Sequence, residues 1–397
     1  VAPSFAQAPM VELMYFNAGG GHRASALALE AIALAQRRHW NIRLVNIFDV
    51  LDPRGHFHAL TGLHPEDLYN KRLARGWTRG MAQELRLLQQ LIRLSQTRLA
   101  QRMQQHWQGT RPDLVVSLVP NFNRVMATGL RATGSTAPYV TVMTDLADMD
   151  HGRFWIEPGL GIHLVCGTAY AAQQASRLGL TPTHIHTTSG MLVRPEFYQT
   201  PTQPREQAML CLGLDPARPT ALALFGGHGG RAMLHIARGM PQVQTIFLCG
   251  HNHKLAAQLQ AMPQQAPRWV QGFTPHVANF MHMADFMIGK PGPGSISEAL
   301  RCGLPVIVMH NGATMPQERY NVRWVQEQGV GLACTSLRAL TAAVAQLQSQ
   351  LPQYQARVRA MNNRALFEVP DILERLLQHN GKPTGVQADA HSACHSP

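Results

Sequence analysis

Short apolar runs alternate with helical periodicity along most of the chain. Residues 11–17 (VELMYFN) read as a buried strand, Gly19, Gly20 and Gly21 form a turn, and residues 24–36 (ASALALEAIALAQ) have strong helix propensity. Further strand-like runs fall at 42–47, 114–119, 139–143 and 162–166, with helical segments between most of them. Residues 194–205 (RPEFYQTPTQPR) then carry three prolines and little apolar periodicity, as an interdomain linker would. Beyond it the design repeats. A strand at 221–225 (ALALF) leads into Gly226-Gly227-His228-Gly229-Gly230 and a helix, and more strands follow near 245–249, 286–289 and 305–309. Such alternation predicts an α/β chain with largely parallel sheets in two domains. Their expected limits are 10–197 and 205–379, with an aperiodic tail at 380–397 expected to be disordered.

Length agrees with two domains, since 397 residues at about 150 per domain leave room for two or three cores. No apolar run approaches the roughly 18 residues of a membrane-spanning helix. The 35 Lys and Arg outnumber the 23 Asp and Glu, and this basic balance seeks an anionic partner. It does not say which. The six cysteines show no CxxC spacing, which suits reduced thiols in a cytoplasmic protein.

The charge concentrates in residues 71–111, where nine basic side chains face one acidic one, Glu84. Within this segment Leu85, Leu88, Ile92, Leu99 and Met103 recur at helical spacing, so one face is apolar and arginines flank it. Two readings stand: a helix packed on its sheet with solvated arginines outside, or a basic amphipathic helix that docks on an anionic membrane through Arg86, Arg93, Arg98 and Arg102. No zinc finger or RNA-binding aromatic motif accompanies the charge, so nucleic acid is not an expected partner.

Two glycine turns could carry chemistry. The first, residues 17–22, is neither GxGxxG nor a Walker loop, but it places His22 at a helix start at the carboxyl edge of a sheet, where a general base could act. The second, residues 289–300 (GKPGPGSISEAL), delivers a strand into a Pro/Gly loop whose amides would open a helix and cradle a diphosphate. Ser295 and Glu298 also fit a capping box, in which they would only satisfy helix amides. Gln317, Glu318 and Asn321 follow the next strand, within reach of sugar hydroxyls in such a fold. Asp148-Met149-Asp150 is a DxD and several His-x-His pairs occur, but no ligand-spaced partners accompany them, so no metal is expected.

In order and spacing GGGHRASA, TDL at 144–146, VRPEF at 193–197, CGHNHKLAAQL from Cys249, QGF at 271–273, GKPGPGSISEALRCGLPVIV and QERYN at 317–321 resemble monogalactosyldiacylglycerol synthases. The pattern is more loosely similar to the processive diacylglycerol glucosyltransferases and to the N-acetylglucosaminyltransferase of peptidoglycan synthesis. The resemblance spans about residues 11–334. It implies a GT-B fold, two Rossmann-like domains facing a cleft, with a UDP-sugar in the second domain and a lipid acceptor against the first. By position, Gly292, Gly294 and Ser295 would cradle the diphosphate, with Gly226, Gly227 and His228 near its phosphates. Glu298 would hold the ribose, Phe273 would cover the uracil, and Gln317, Glu318 and Asn321 would face the sugar. His22 matches the acceptor-side histidine with Asp145 as rival base or partner, and Gly20, Gly21 and Pro120 would lie on the acceptor side.

Two departures leave the specificity open. Where plant-type members have His-Pro, this chain has Val119-Pro120, and the sugar-side Pro-Gly-Gln-Glu is Met315-Pro316-Gln317-Glu318 here. The expectation is a peripheral enzyme on the cytoplasmic membrane face that moves galactose or glucose from UDP-hexose to a lipid hydroxyl, most simply diacylglycerol, with inversion and no metal cofactor. A UDP-sugar epimerase of similar fold and a catalytically silent nucleotide-sugar or lipid binder are the alternatives.

Overall fold

The computed structural model describes residues 8–17, 21–53, 81–149, 153–312 and 314–380. Strands β1 (Met10–Tyr15), β2 (Asn41–Asn46), β3 (Leu114–Ser117), β4 (Tyr139–Val142), β5 (Ile162–Cys166) and β6 (Ile185–Thr187) form one parallel sheet in the order β2-β1-β3-β4-β5-β6. A second parallel sheet contains β7 (Thr220–Leu224), β8 (Gln244–Leu248), β9 (Arg268–Gln271), β10 (Phe286–Gly289), β11 (Val306–Met309) and β12 (Gly331–Cys334), ordered β12-β11-β10-β7-β8-β9. Helices connect most successive strands, as parallel pairing favours; β4 and β5 are joined without a helix among the described residues. The central β3 (LVVS) and β4 (YVTV) are buried at every position, which is why they read as unbroken apolar runs. Three strands, β6, β9 and β12, were not foreseen. They are the sheet edges, and IHT, RWVQ and GLAC carry too few core positions to stand out.

Strand order reverses between β1 and β3 and again between β7 and β10. Ligands of open parallel sheets bind outside the carboxyl ends of the strands at such reversals. There β1 feeds the helix Gly21–Ala35, β7 feeds the Gly226 loop, and β10 feeds the helix Pro293–Arg301.

The expected limit of 379 for the second domain is corrected by the last helix. In Ala365–Asn380, Leu366, Val369, Ile372 and Leu373 join Val11, Leu13, Leu29 and Ile32 in the core of the first sheet. Trp40 Nε1 donates to Glu374 at 2.8 Å, and Arg38 pairs with Asp371. The chain therefore crosses between domains twice. The tail assigned to 380–397 lies, after Asn380, outside the described residues.

The basic segment also differs from its reading as one helix. It forms Met81–Leu94 and Gln96–Thr110, interrupted at Ser95. Ile92, Met103 and Trp107 are buried, and the Trp107 indole donates to Glu12 inside the domain. Leu88 is exposed rather than packed, as are Leu87, Leu91 and Leu94 at 56%, 52% and 84%. The segment's residues before Met81 lie outside the described ones.

Leu373 is 1% exposed in the first core. Leu373→Ala is expected to lower stability by about 2–5 kcal/mol in urea unfolding. An effect below about 1 kcal/mol would mean that the last helix is not part of that core.

Candidate active site

His22 occupies the second position of the helix Gly21–Ala35, just past the carboxyl end of β1. Its ring stacks on Phe16 at 4.4 Å and lies 5.8 Å from Trp155. Nδ1 is 3.1 Å from Thr144 Oγ1, and the ring also bonds to the Leu118 carbonyl. Burial lowers its pKa to about 4, outweighing the Leu118 bond, so the imidazole is neutral at ordinary pH. With the proton on Nδ1, donated to Thr144 Oγ1, Nε2 is left with the free lone pair that a base needs.

Asp145 is not the hydrogen-bond partner of His22; Thr144 is. The Asp145 carboxylate accepts the Trp155 indole N–H at 2.7 Å. Burial raises its pKa to about 7, the Trp155 bond opposes this, and the charges of Glu318 and Asp148 push it further up. Glu318 belongs to the second domain, so the two domains sense one another electrostatically at this point. Asp148 is no metal ligand here: its oxygens accept the backbone N–H groups of Met149, Phe154, Trp155 and Ile156 at 2.7–3.2 Å. Asp150 and Gly20 lie outside the described residues. Gly21 is open to added atoms, whereas Pro120 is buried.

Across the cleft the helix Pro293–Arg301 starts with Gly292 as its N-cap, Pro293 at the first position and no side-chain cap. Ser295 is therefore within the first turn, and the capping-box reading fails. Uncapped first-turn amides near Gly294 and Ser295 remain for an anion. Lys290 was missed, although it lies within the motif. Its Nζ is 3.7 Å from Glu318 Oε1, and its Cε approaches both Gly226 and Gly292. It is a cation at the mouth of the cradle.

The other donor-side candidates divide into facing and supporting groups. His228 and Gly227 are exposed in a loop with Gly226 at φ +81°, and the His228 ring is 5.9 Å from His251. His251 stacks at 4.2 Å on Phe273, which is 58% exposed and available to a base. Gln317 is half-buried and bonds to Met315 Sδ at 3.9 Å. Asn321 does not face a sugar: it is fully buried and donates to the Pro291 carbonyl at 2.8 Å, bracing the cradle from behind. Glu298 is held by Arg194 of the interdomain crossing, Nε to Oε1 at 3.0 Å; burial raises its pKa and Arg194 opposes that. Among the described residues no group of three or more His, Cys, Asp or Glu is placed to hold a metal ion.

Residues 22–191 match the family model for monogalactosyldiacylglycerol (MGDG) synthase, and residues 230–376 match the glycosyltransferase family 28 C-terminal domain. The first match falls on the domain of the first sheet and the second on that of the second sheet. The chloroplastic MGDG synthase of Spinacia oleracea is 32% identical over 248 residues, 59% of this chain and 46% of that protein. MGDG synthase 1 of Arabidopsis thaliana is 28% identical over 350 residues, 84% of this chain and 64% of that protein. The chain thus spans about half to two thirds of the length of these relatives. Among solved structures, Acinetobacter baumannii MurG superposes with a TM-score of 0.58 at 12% identity, covering 92% of this chain and 99% of its own. The calicheamicin glycosyltransferase CalG4 gives 0.57 at 12%, covering 95% and 100%. At that identity the likeness establishes the fold, GT-B. Thr144, Arg194 and Lys290 were legible as members of the motifs that carry the resemblance; Trp155 lies in none of them.

Burial moves the two first-domain groups in opposite senses. The His22 pKa falls on folding, so its contribution to stability is complete above about pH 6.5 and is lost as pH falls through about 4. The Asp145 pKa rises, so its contribution is complete below about 3.8 and is lost as pH climbs through about 7. Trp155, bonded to Asp145, is expected to report an inflection near pH 7 in its indole NMR signal, abolished by Asp145→Asn. An indole signal that is flat between about pH 6 and 8 would refute the shift.

Proposed function

We propose that the protein transfers a hexose from a UDP-sugar to the hydroxyl of diacylglycerol at a membrane surface. The carrying observation is a chain of neighbours: His22, in the domain that matches the MGDG synthase model, lies against Trp155, which bonds to Asp145, and Asp145 senses Glu318, the partner of Lys290 beside an uncapped helix start in the domain that matches family 28. The names of the relatives favour galactose, with glucose as the alternative donor.

In this reading the imidazole takes the acceptor proton as its oxygen bonds to the anomeric carbon and the bond to the UDP oxygen breaks. A single displacement of this kind inverts the anomeric centre. Negative charge then grows on the departing diphosphate, where Lys290 and the first-turn amides of the helix Pro293–Arg301 would meet it without a divalent ion. Thr144 orients the base, and Phe16 and Trp155 partly bury it. Glu298 would take the ribose and Phe273 the uracil.

Radiolabelled UDP-galactose and UDP-glucose, offered in parallel to diacylglycerol in anionic vesicles, test this directly. Label from one donor is expected in the organic extract. His22→Ala is expected to lower turnover by about 100-fold or more with UDP affinity near wild type. UDP binding with no labelled lipid from either donor would set the reading aside.

The surface reading rests on the helix Met81–Leu94. Leu87, Leu91 and Leu94 lie four and three residues apart on one exposed face. Arg86, Arg93 and Arg98 are exposed nearby, and Arg102 is half-buried on the next helix. An apolar stripe edged by arginines fits the interface of an anionic bilayer. No helix among the described residues is long and apolar enough to cross one. Replacing Leu87, Leu91 and Leu94 together by Gln is expected to weaken co-sedimentation with anionic vesicles at least tenfold and leave UDP affinity unchanged. Undiminished co-sedimentation would remove this helix from the docking surface.

A further inference from the structure

A second cavity, of about 680 Å³, lies between the domains beside both chain crossings, and none of the cleft side chains described above lines it. Its first-domain wall is Gly167 to Tyr170, including the first turn of the helix Ala169–Arg177. Its second-domain wall carries three guanidinium groups, Arg301, Arg323 and Arg359, against one carboxylate, Glu327. Ser189 to Met191 and Met361 to Asn363, from the two crossings, complete it.

The three arginines are unequally satisfied. Arg323 pairs with Glu327 at 3.3 Å and lies over Tyr170 and Tyr320, which stack at 4.4 Å across the domain boundary. Arg301 lies over the Tyr198 ring, and its Nε is sealed from solvent with no hydrogen-bond partner. Arg359 is exposed, and among the described ion pairs neither it nor Arg301 has a carboxylate. Three guanidinium groups against one carboxylate make this wall a place that attracts an anion. One wall is also rigid: a Cβ on Gly167 would lie 2.4 Å from the Gly190 carbonyl, so strand end and crossing are packed backbone to backbone.

We propose that this cavity binds a phosphomonoester, with its oxygens on Arg301 and Arg359 and its remainder against the first turn of the helix Ala169–Arg177. The volume suits a small metabolite. Because the walls belong to different domains, the occupant favours the interdomain arrangement seen here and opposes any that separates Tyr170 from Tyr320. This site is independent of the transfer reaction proposed above, and binding tests it without reference to turnover.

Calorimetry of the full chain with glycerol 3-phosphate, and with its short-chain diacyl counterpart, is the experiment, each run with and without saturating UDP. One site that survives saturating UDP is expected, weakened at least tenfold in the Arg301→Gln, Arg359→Gln double variant while UDP affinity is unchanged. Should the double variant fail to fold, exposed Arg359→Gln alone is expected to weaken binding several-fold. Tighter binding of the diacyl form at the same site would identify a lipid as the source of the phosphate, and tighter binding of the soluble form a metabolite. No binding of either ligand, displacement by UDP, or equal affinity in wild type and variants would each overturn the proposal.

Discussion

Partial burial of His22 against Phe16 and Trp155 is the constraint on which the cleft depends. An imidazole in that position cannot easily hold a proton, and the same apolar wall makes Asp145 a reluctant anion. Both first-domain groups are thereby driven toward neutrality. The charged groups named on the cleft lie opposite, where Lys290 and Glu318 pair at the mouth of an uncapped helix. A proton acceptor is thus separated from an anion cradle, and neither compromises the other. A permanent positive charge beside His22 would depress its basicity, while at the cradle Lys290 offsets the Glu318 carboxylate.

Parallel sheets make this division inexpensive to build. Where strand order reverses, two neighbouring loops diverge and leave a crevice that needs no side-chain excavation. The crevice requires close backbone approach instead. Gly250, at φ +56°, shows the requirement: a Cβ there would lie 2.0 Å from the Gly227 carbonyl, so no other residue lets the two donor-side loops meet. Asn321 serves the same end from beneath, spending a fully buried amide on Pro291 and leaving its Oδ1 without a partner. A buried unsatisfied oxygen costs about 1–3 kcal/mol, a sign that the placement of the Pro291 loop outweighs local stability.

What could be read from the residues follows the physics of each element. Central strands such as β3 and β10 are buried on both faces, so their sequences are apolar throughout and announce themselves. The edge strands β6 and β9 are half-exposed and resemble loops. The glycine turns and His22 were visible because backbone approach and helix starts demand particular residue types. The division of labour within the motifs was not. Whether Asn321 faces a ligand or braces a loop, whether Glu298 is free or tied to Arg194, and whether Leu88 is packed or exposed depend on side-chain directions set by tertiary packing. The helix Ala365–Asn380 was given to the wrong domain for a related reason: its apolar stripe is unmistakable, but a stripe does not say which sheet it covers.

That last helix also shapes how the halves can move. Since the first core includes residues from both ends of the described chain, two covalent crossings join the domains, one before Arg205 and one before Ala365. Two nearby tethers remove most relative translation and leave bending about the line between them. Glu298 lies on the donor helix and is bonded to Arg194 on the first tether, while Tyr170 and Tyr320 meet beside both. The helix Pro293–Arg301 thus touches the first tether twice, Glu298 on Arg194 and Arg301 over Tyr198, so a shift of that helix and a bend of the tether disturb the same two contacts.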